Sequence, residues 1–340
     1  VNLATVERIE EVTKHPNADK LDLVRVLNYW CIVGRDQYKV GDLIVFVSPD
    51  SVLPDDRAWA APLLKYTSRG RVRAVRLRGE WSMGLVLSLT PELVGGYVAY
   101  LQGADLTELL GVTKHEPKAV SNSQAKGGLP FDIPKTDEDN WQRVRGIERY
   151  YGLDVDVTLK IDGQSFTAYY ERESGSRGIT SRSQDLKLIL TDENGNETLG
   201  DSNWHKVNYK YAILDRLAVY CETNNVSLAI RGEVYGKGIQ SFPHNPHSQE
   251  ELNLAIYSVY NIDNRAYEGI TDDHNYVRVA RALGIPTVPV LEQVPLTRGL
   301  IDMYDHIKET VDGKPFEGVV MKGDGFSFKV INKHYDSKKD

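Results

Sequence analysis

The stretch from Val112 to Gly128 (VTKHEPKAVSNSQAKGG) is polar, lacks periodicity and ends in a Gly pair. Such a segment joins folded bodies rather than packing inside one. It divides the chain into residues 1–112, a linker at 113–128, and residues 129–340. At 340 residues the chain is long enough for each part to bury a core of its own.

The first part reads as mainly β. Strand-like segments fall at Ala4–Ile9, Leu21–Leu27, Leu43–Val47, Arg71–Leu77 and Leu85–Leu89. Turn formers such as His15-Pro16-Asn17, Val40-Gly41-Asp42 and Ser48-Pro49-Asp50 separate several of them. Five short strands in about a hundred residues suit a small barrel, and the OB fold is the expected one. Beyond the linker the pattern is mixed α/β. Trp204 to Cys221 has helical spacing of Val207, Tyr211, Leu214, Leu217 and Cys221, with Asn224-Asn225 as its stop.

No apolar run approaches a membrane span and no signal-like segment begins the sequence, so a cytoplasmic protein without membrane attachment is expected. Cys31 and Cys221 have neither metal-like spacing nor the look of a disulfide framework. Basic and acidic residues nearly balance over residues 1–128, so the net charge of −7 resides mostly beyond them. Within the first part Lys65, Arg69, Arg71, Arg73, Arg76 and Arg78 form a basic stripe. Its phase changes near Ala74-Val75, which predicts a bulge. The stripe suits a solvated, charge-protected edge and an RNA-backbone contact equally well.

Chemistry concentrates at Lys160-Ile161-Asp162-Gly163. Val155, Val157, Leu159 and Ile161 take one face of an alternating strand, and Asp156, Thr158, Lys160 and Asp162 take the other. A lysine and a carboxylate thus point the same way, beside a glycine that permits close approach of a ligand. A lysine so presented is a covalent nucleophile wherever its surroundings favour the neutral amine.

With this tetrapeptide come Ser181-Arg182, Arg231-Gly-Glu233-Val-Tyr-Gly236, Tyr257-Ser-Val-Tyr260-Asn-Ile262, Glu317-Gly-Val-Val-Met-Lys322 and Phe326-Ser-Phe328-Lys329. In this order and spacing they resemble the motifs of the covalent nucleotidyltransferases, which include DNA ligases, RNA ligases and mRNA capping enzymes. Arg71-Val-Arg-Ala-Val-Arg-Leu-Arg-Gly79 with Ser82-Met-Gly-Leu-Val-Leu87, and the lead-in Lys135-Thr-Asp-Glu138, are similar to blocks of the ATP-dependent RNA ligases typified by the Deinococcus and Naegleria enzymes. His15-Pro-Asn-Ala-Asp-Lys-Leu21 is similar to a segment of tRNA-binding OB modules.

The resemblance implies an α+β protein: an N-terminal OB-like β-barrel, then a mixed α/β nucleotidyltransferase (ATP-grasp-like ligase) domain. It implies that Lys160 takes AMP from ATP, that Asp162, Gly163, Arg182, Glu233, Tyr260, Lys322 and Lys329 bind the nucleotide, and that Asp162, Glu233 and Glu317 hold Mg²⁺ or Mn²⁺. Tyr257 is the reserve for Tyr260 as the adenine-stacking face. Arg71, Arg73, Arg76, Arg78 and Lys135 are the expected RNA contacts. The implied enzyme is a monomer that seals 3′-OH and 5′-phosphate ends, in a nicked duplex or a broken strand.

Two positions depart from the family pattern. Asn140-Trp141-Gln142 stands where relatives carry an arginine, so either Arg143 takes its place or adenylylation is weakened, and Ser327 replaces the first lysine of a Lys-x-Lys pair. These departures keep open an RNA-binding protein with an inactive nucleotidyltransferase domain. A DNA ligase is a second alternative, against which stands the expectation of an OB module after the last motif, where only 11 residues follow Lys329. Strict alternation also sets Glu317 and Lys322 on opposite faces. If both reach the nucleotide, the strand must twist, bulge or end between them.

Overall fold

The computed structural model describes residues 2–96, 100–115, 124–241, 245–308 and 315–335. Residues 116–123 of the expected linker lie outside them. The chain forms two compact units, Val1–Val120 with Gln142–Arg145, and Ser121–Trp141 with Gly146–Asp340. Gln142–Arg145 thus return to the N-terminal unit from beyond the linker. There Asn28 donates its N–H to the Gln142 carbonyl at 3.3 Å, and Arg143 donates to Asn2 O at 2.8 Å and Ser48 Oγ at 3.1 Å.

In the N-terminal unit a sheet runs in the order Tyr29–Gly34, Leu21–Val26, Ala4–Lys14, Leu43–Val47, Leu85–Ser88. Ala4–Lys14 pairs with Leu43–Val47 through its first half and with Leu21–Val26 through its second, and the register shifts between Ile9 and Glu11. That shift lets one long strand serve two directions and curls the sheet. Trp30 O accepts from Met83 N at 2.9 Å and Ile32 N donates to Ser82 Oγ at 2.9 Å, drawing the edge strand toward the far end of the sheet. This is an OB-type half-barrel.

The unbroken apolar run Leu43–Val47 follows from burial on both faces. Val45 and Val47 join a cluster with Leu3, Leu53 and Leu110, whereas Ile44 and Phe46 join another with Ile9, Val26 and Tyr29. Tyr29–Gly34 is a strand that the sequence reading passed over. The expected strand at Arg71–Leu77 is shorter, Val75–Leu77, and pairs with Glu80–Ser82. The phase change in the arginine stripe is therefore the start of a strand and not a bulge within one.

The second unit holds two larger sheets. One includes, in neighbouring order, Ser176–Thr180, Gln164–Glu171, Leu228–Tyr235 and Asn253–Asn261. The other runs Val290–Pro295, Asp154–Leu159, Gly318–Gly323, Phe326–Ile331. On one face of the latter Val155, Val157, Val319, Met321, Phe328 and Val330 are all fully buried. The helix expected from Trp204 to Cys221 is two, Asn203–Tyr211 and Ile213–Asn224, broken at Ala212 with φ 47°. Buried Asn208 accepts the Leu214 N–H at 3.3 Å across the break, and Asn225 ends the second helix in the left-handed conformation.

Candidate active site

The Asp154–Leu159 strand pairs Asp156 with Lys322 and Thr158 with Val320, and the next pairing sets Val320 opposite Lys329 and Lys322 opposite Ser327. Because side chains directly opposite share a face, Asp156, Thr158, Lys322, Ser327 and Lys329 lie together, opposite the apolar core. Lys160 continues the same parity one residue past its strand. Three lysines far apart in sequence are thereby gathered by register. Lys329 also donates its N–H to Asp139 O at 2.8 Å.

Lys160 is held by its neighbours. Its N–H donates to Gly318 O at 2.9 Å, and Nζ donates to Glu317 Oε2 at 2.6 Å. Burial works to lower its pKa, but Glu317, Glu233 and Asp162 outweigh it and leave the ammonium favoured beyond its ordinary range. Glu317 reaches Lys160 because the following strand begins at Gly318, where φ is +149° and a Cβ would stand 2.2 Å from Val330 O. The parity conflict between Glu317 and Lys322 is resolved by the end of the strand.

Glu233 and Asp162 complete the group. Burial, then repulsion from Glu317 and Asp162, pushes Glu233 up to about 8 against the pull of Lys160. Burial and Glu317 push Asp162 up to about 6. Two residues missed in sequence position Asp162. Buried Asn245 donates Nδ2 to its carbonyl at 3.1 Å, and Tyr335 donates to its Oδ2 at 3.1 Å. Neither belongs to a recognisable motif, so only the folded chain reveals them. Gly163 packs on protein: a Cβ there would lie 2.3 Å from Val234 O and 3.0 Å from Glu233 Cγ.

Lys322, 6% exposed, is driven down to about 8 by burial, opposed by Glu138 and Asp156. Its Nζ donates to Tyr257 O and lies 5.2 Å from the Tyr257 ring and 4.7 Å from that of Tyr276. Tyr276 and Gln293 in turn donate to Asp156 at 2.8 and 2.7 Å. Of the two candidate tyrosines it is Tyr257 that touches this lysine, and its hydroxyl pKa is raised by burial and then by Glu233. Tyr260 is 5% exposed and packs with Ile133, Tyr169 and Ala229, edge-on to Tyr267. The pairing of Leu228–Tyr235 with Asn253–Asn261 shifts register at Arg231/Gly232, leaving Tyr257 as the extra residue.

Most of the remaining residues have partners of their own. Arg231 is 1% exposed and donates to Pro134 O and Tyr267 OH. Arg182 pairs with Asp137 at 2.9 Å, Lys135 lends its carbonyl to Arg231 at 3.5 Å, and Ser327 donates to Glu138 at 2.7 Å. In the N-terminal unit Arg71 donates to Asp50 at 3.0 Å, and Arg73 is half-buried, whereas Arg76 and Arg78 are exposed. Arg143 is bonded within that unit, to Asn2 and Ser48.

Among the described residues no three His, Cys, Asp or Glu side chains stand close enough to ligate a metal directly. Asp162 and Glu233, both with raised pKa values, and Glu317 around a single lysine nonetheless fit a divalent cation that keeps its water shell. Among the described residues no helix is long and apolar enough to cross a membrane.

A sequence model of an OB-fold domain matches residues 3–89. Among solved structures, an arginine-to-alanine variant of the Naegleria gruberi RNA ligase with ATP and Mn has a TM-score of 0.80 at 27% identity, covering 98% of each chain. A lysine-to-methionine variant of that ligase with AMP and Mn gives the same values, and that ligase with PPi gives 0.79 at 27% over 98% of each. The phenylalanine–tRNA ligase beta subunit of Geobacter metallireducens is 26% identical over 191 residues, 54% of this chain but 20% of that protein. The chain thus spans about one fifth of the length of that curated relative. A model of the RNA ligase family matches residues 154–331, which contain Lys160, Glu233, Glu317 and Lys329, and the chain belongs to that family.

Proposed function

We propose that this chain is an ATP-dependent RNA ligase that joins 3′-OH and 5′-phosphate ends through a lysyl-AMP intermediate. The observation that carries the reading is Lys160 on one sheet face with Lys322 and Lys329, ringed by Asp162, Glu233 and Glu317. Lys160 Nζ, once it has given up its proton, forms a bond to the α-phosphorus of ATP while the bond to the bridging oxygen breaks and pyrophosphate leaves. Lys322 and Lys329 offset the charge that gathers on the phosphates. A 5′-phosphate oxygen of RNA then takes the AMP, returning the electron pair of the N–P bond to Lys160. A 3′-OH finally attacks that 5′-phosphorus, and AMP departs with the pyrophosphate-linking oxygen.

Asp162, Glu233 and Glu317 would hold a hydrated Mg²⁺ or Mn²⁺, whose charge offsets theirs and weakens their hold on the lysine proton. Tyr257, beside Lys322, is the face proposed for adenine. Arg76 and Arg78 are proposed RNA contacts. The protein acts as a monomer in the cytoplasm on nicked duplexes or broken strands. Its two cysteines, buried and free, are compatible with a reducing compartment.

The test is transfer of label from α-labelled ATP to protein, read on a denaturing gel with Mg²⁺ or Mn²⁺. Label that survives denaturation and is absent from Lys160→Ala is the expected result. Equal labelling of that variant would overturn the assignment.

A further inference from the structure

Two segments unused by the Lys160 site meet in the N-terminal unit. Val75–Leu77 and Glu80–Ser82 pair only with each other among the described strands, and a lone two-stranded hairpin is marginal in water. The His15–Lys20 loop holds it. His15, 4% exposed, sets Nε2 3.2 Å from Leu77 O. Asn17 donates its N–H to His15 Nδ1 at 3.1 Å and Nδ2 to Arg78 O at 2.9 Å. Arg78 and Gly79, with φ of 49° and 97°, make the left-handed turn that a tight hairpin requires.

What the loop holds up is chemically specific. Arg76 and Trp81 are cross-strand partners on one face, and Trp81 is 38% exposed. Arg76 and Arg78 are exposed, with no carboxylate at ion-pair distance among the described residues. Val75 and Leu77, on the other face, are 46% and 43% exposed. A flat indole flanked by unneutralised guanidinium groups is complementary to a base with its phosphates. The base must offer an open face, which a duplex buries in its stack.

We propose that this hairpin binds an unpaired RNA nucleotide. The base stacks on Trp81, Arg76 and Arg78 take the flanking phosphates, and His15 and Asn17 are positioning residues. The inference rests on the reading of RNA as substrate. Its test uses full-length Lys160→Ala protein, so that failure of adenylylation does not bear on the result.

Binding of a fluorescent 5′-phosphorylated single-stranded RNA and of its blunt duplex is measured over a salt series. Trp81→Ala should weaken single-strand binding about tenfold or more without changing the salt slope, and spare the duplex. Trp81→Phe should restore most of the loss. Arg76→Ala and Arg78→Ala should each flatten the slope by about 0.7. Asn17→Ala should weaken single-strand binding, and adding Trp81→Ala to it should cost little more, as coupled residues require. Equal loss on single strand and duplex, or none with Trp81→Ala, overturns the proposal. So would anionic phosphatidylserine vesicles that displace RNA from the parent protein but not from Trp81→Ala, which would assign the hairpin to a lipid surface.

Discussion

Lys160 is kept protonated by the carboxylates that define its site, and gathering those carboxylates in a buried place costs stability. Glu233 carries most of that cost. Its pKa in the folded protein is about 8 against an ordinary 4.5. Between those values the folded chain holds a proton that the unfolded chain has released, so stability falls as pH rises through that window. Above it the buried charge opposes folding in full. Glu233→Gln should therefore match the parent near pH 4.5 and exceed it at pH 8 by about 1–3 kcal/mol, measured as denaturant midpoints at the two values, while losing adenylylation. Equal stability at pH 8 would show that the charge is already compensated. Gly163→Ala should lose both stability and labelling, because the added methyl meets Val234 O and the adjacent loop carries Lys160. A cost of about 1–3 kcal/mol in chemical denaturation is expected. The need for glycine was legible in the sequence, but its cause was not. Sequence pointed to a ligand near Gly163, and the close neighbour is a strand some seventy residues away in the chain.

At the scale of elements, alternation told which residues share a strand face, and register decided which faces meet. Lys160, Asp156 and Thr158 could be grouped from period two alone. That Lys322 and Lys329 join them depends on pairings no single strand encodes. Irregularities were the least legible feature, since each depends on a neighbouring strand. The strand that begins after Glu317 and the extra residue at Tyr257 both change what reaches the site. The latter yields a prediction that separates the two tyrosines. Tyr260→Ala removes a core side chain and should cost about 3–5 kcal/mol of stability, seen in thermal melts. Tyr257→Ala should raise the KM for ATP in the labelling reaction more than it lowers Tm. Reversal of these outcomes would return the stacking role to Tyr260.

At the scale of the whole molecule, composition and the polar stretch after Val112 told of two bodies, and apolar patterning told of a small barrel first. Four residues that return to the barrel from beyond that stretch were invisible, because Gln142–Arg145 look like any polar connection. Their anchor is physical. Glu7 is 1% exposed in the first strand, and Arg145 reaches its Oε1 at 2.6 Å while Thr5 donates to the same oxygen at 2.7 Å. Breaking a buried pair from one side leaves an uncompensated charge and costs about 3–5 kcal/mol. Pairing of a half-exposed arginine is worth less than that limit, so Arg145→Ala should cost about 1–3 kcal/mol. Glu7→Gln should cost less, since the amide that remains needs no cation. The same reasoning sets the fragment that reproduces the N-terminal unit. A protein of residues 1–128 lacks the partner of Glu7 and should unfold at lower denaturant than one of residues 1–146. Addition of Glu7→Gln should narrow that gap. If the two fragments unfold together, the barrel does not depend on the returning segment and its boundary lies at the polar stretch after all.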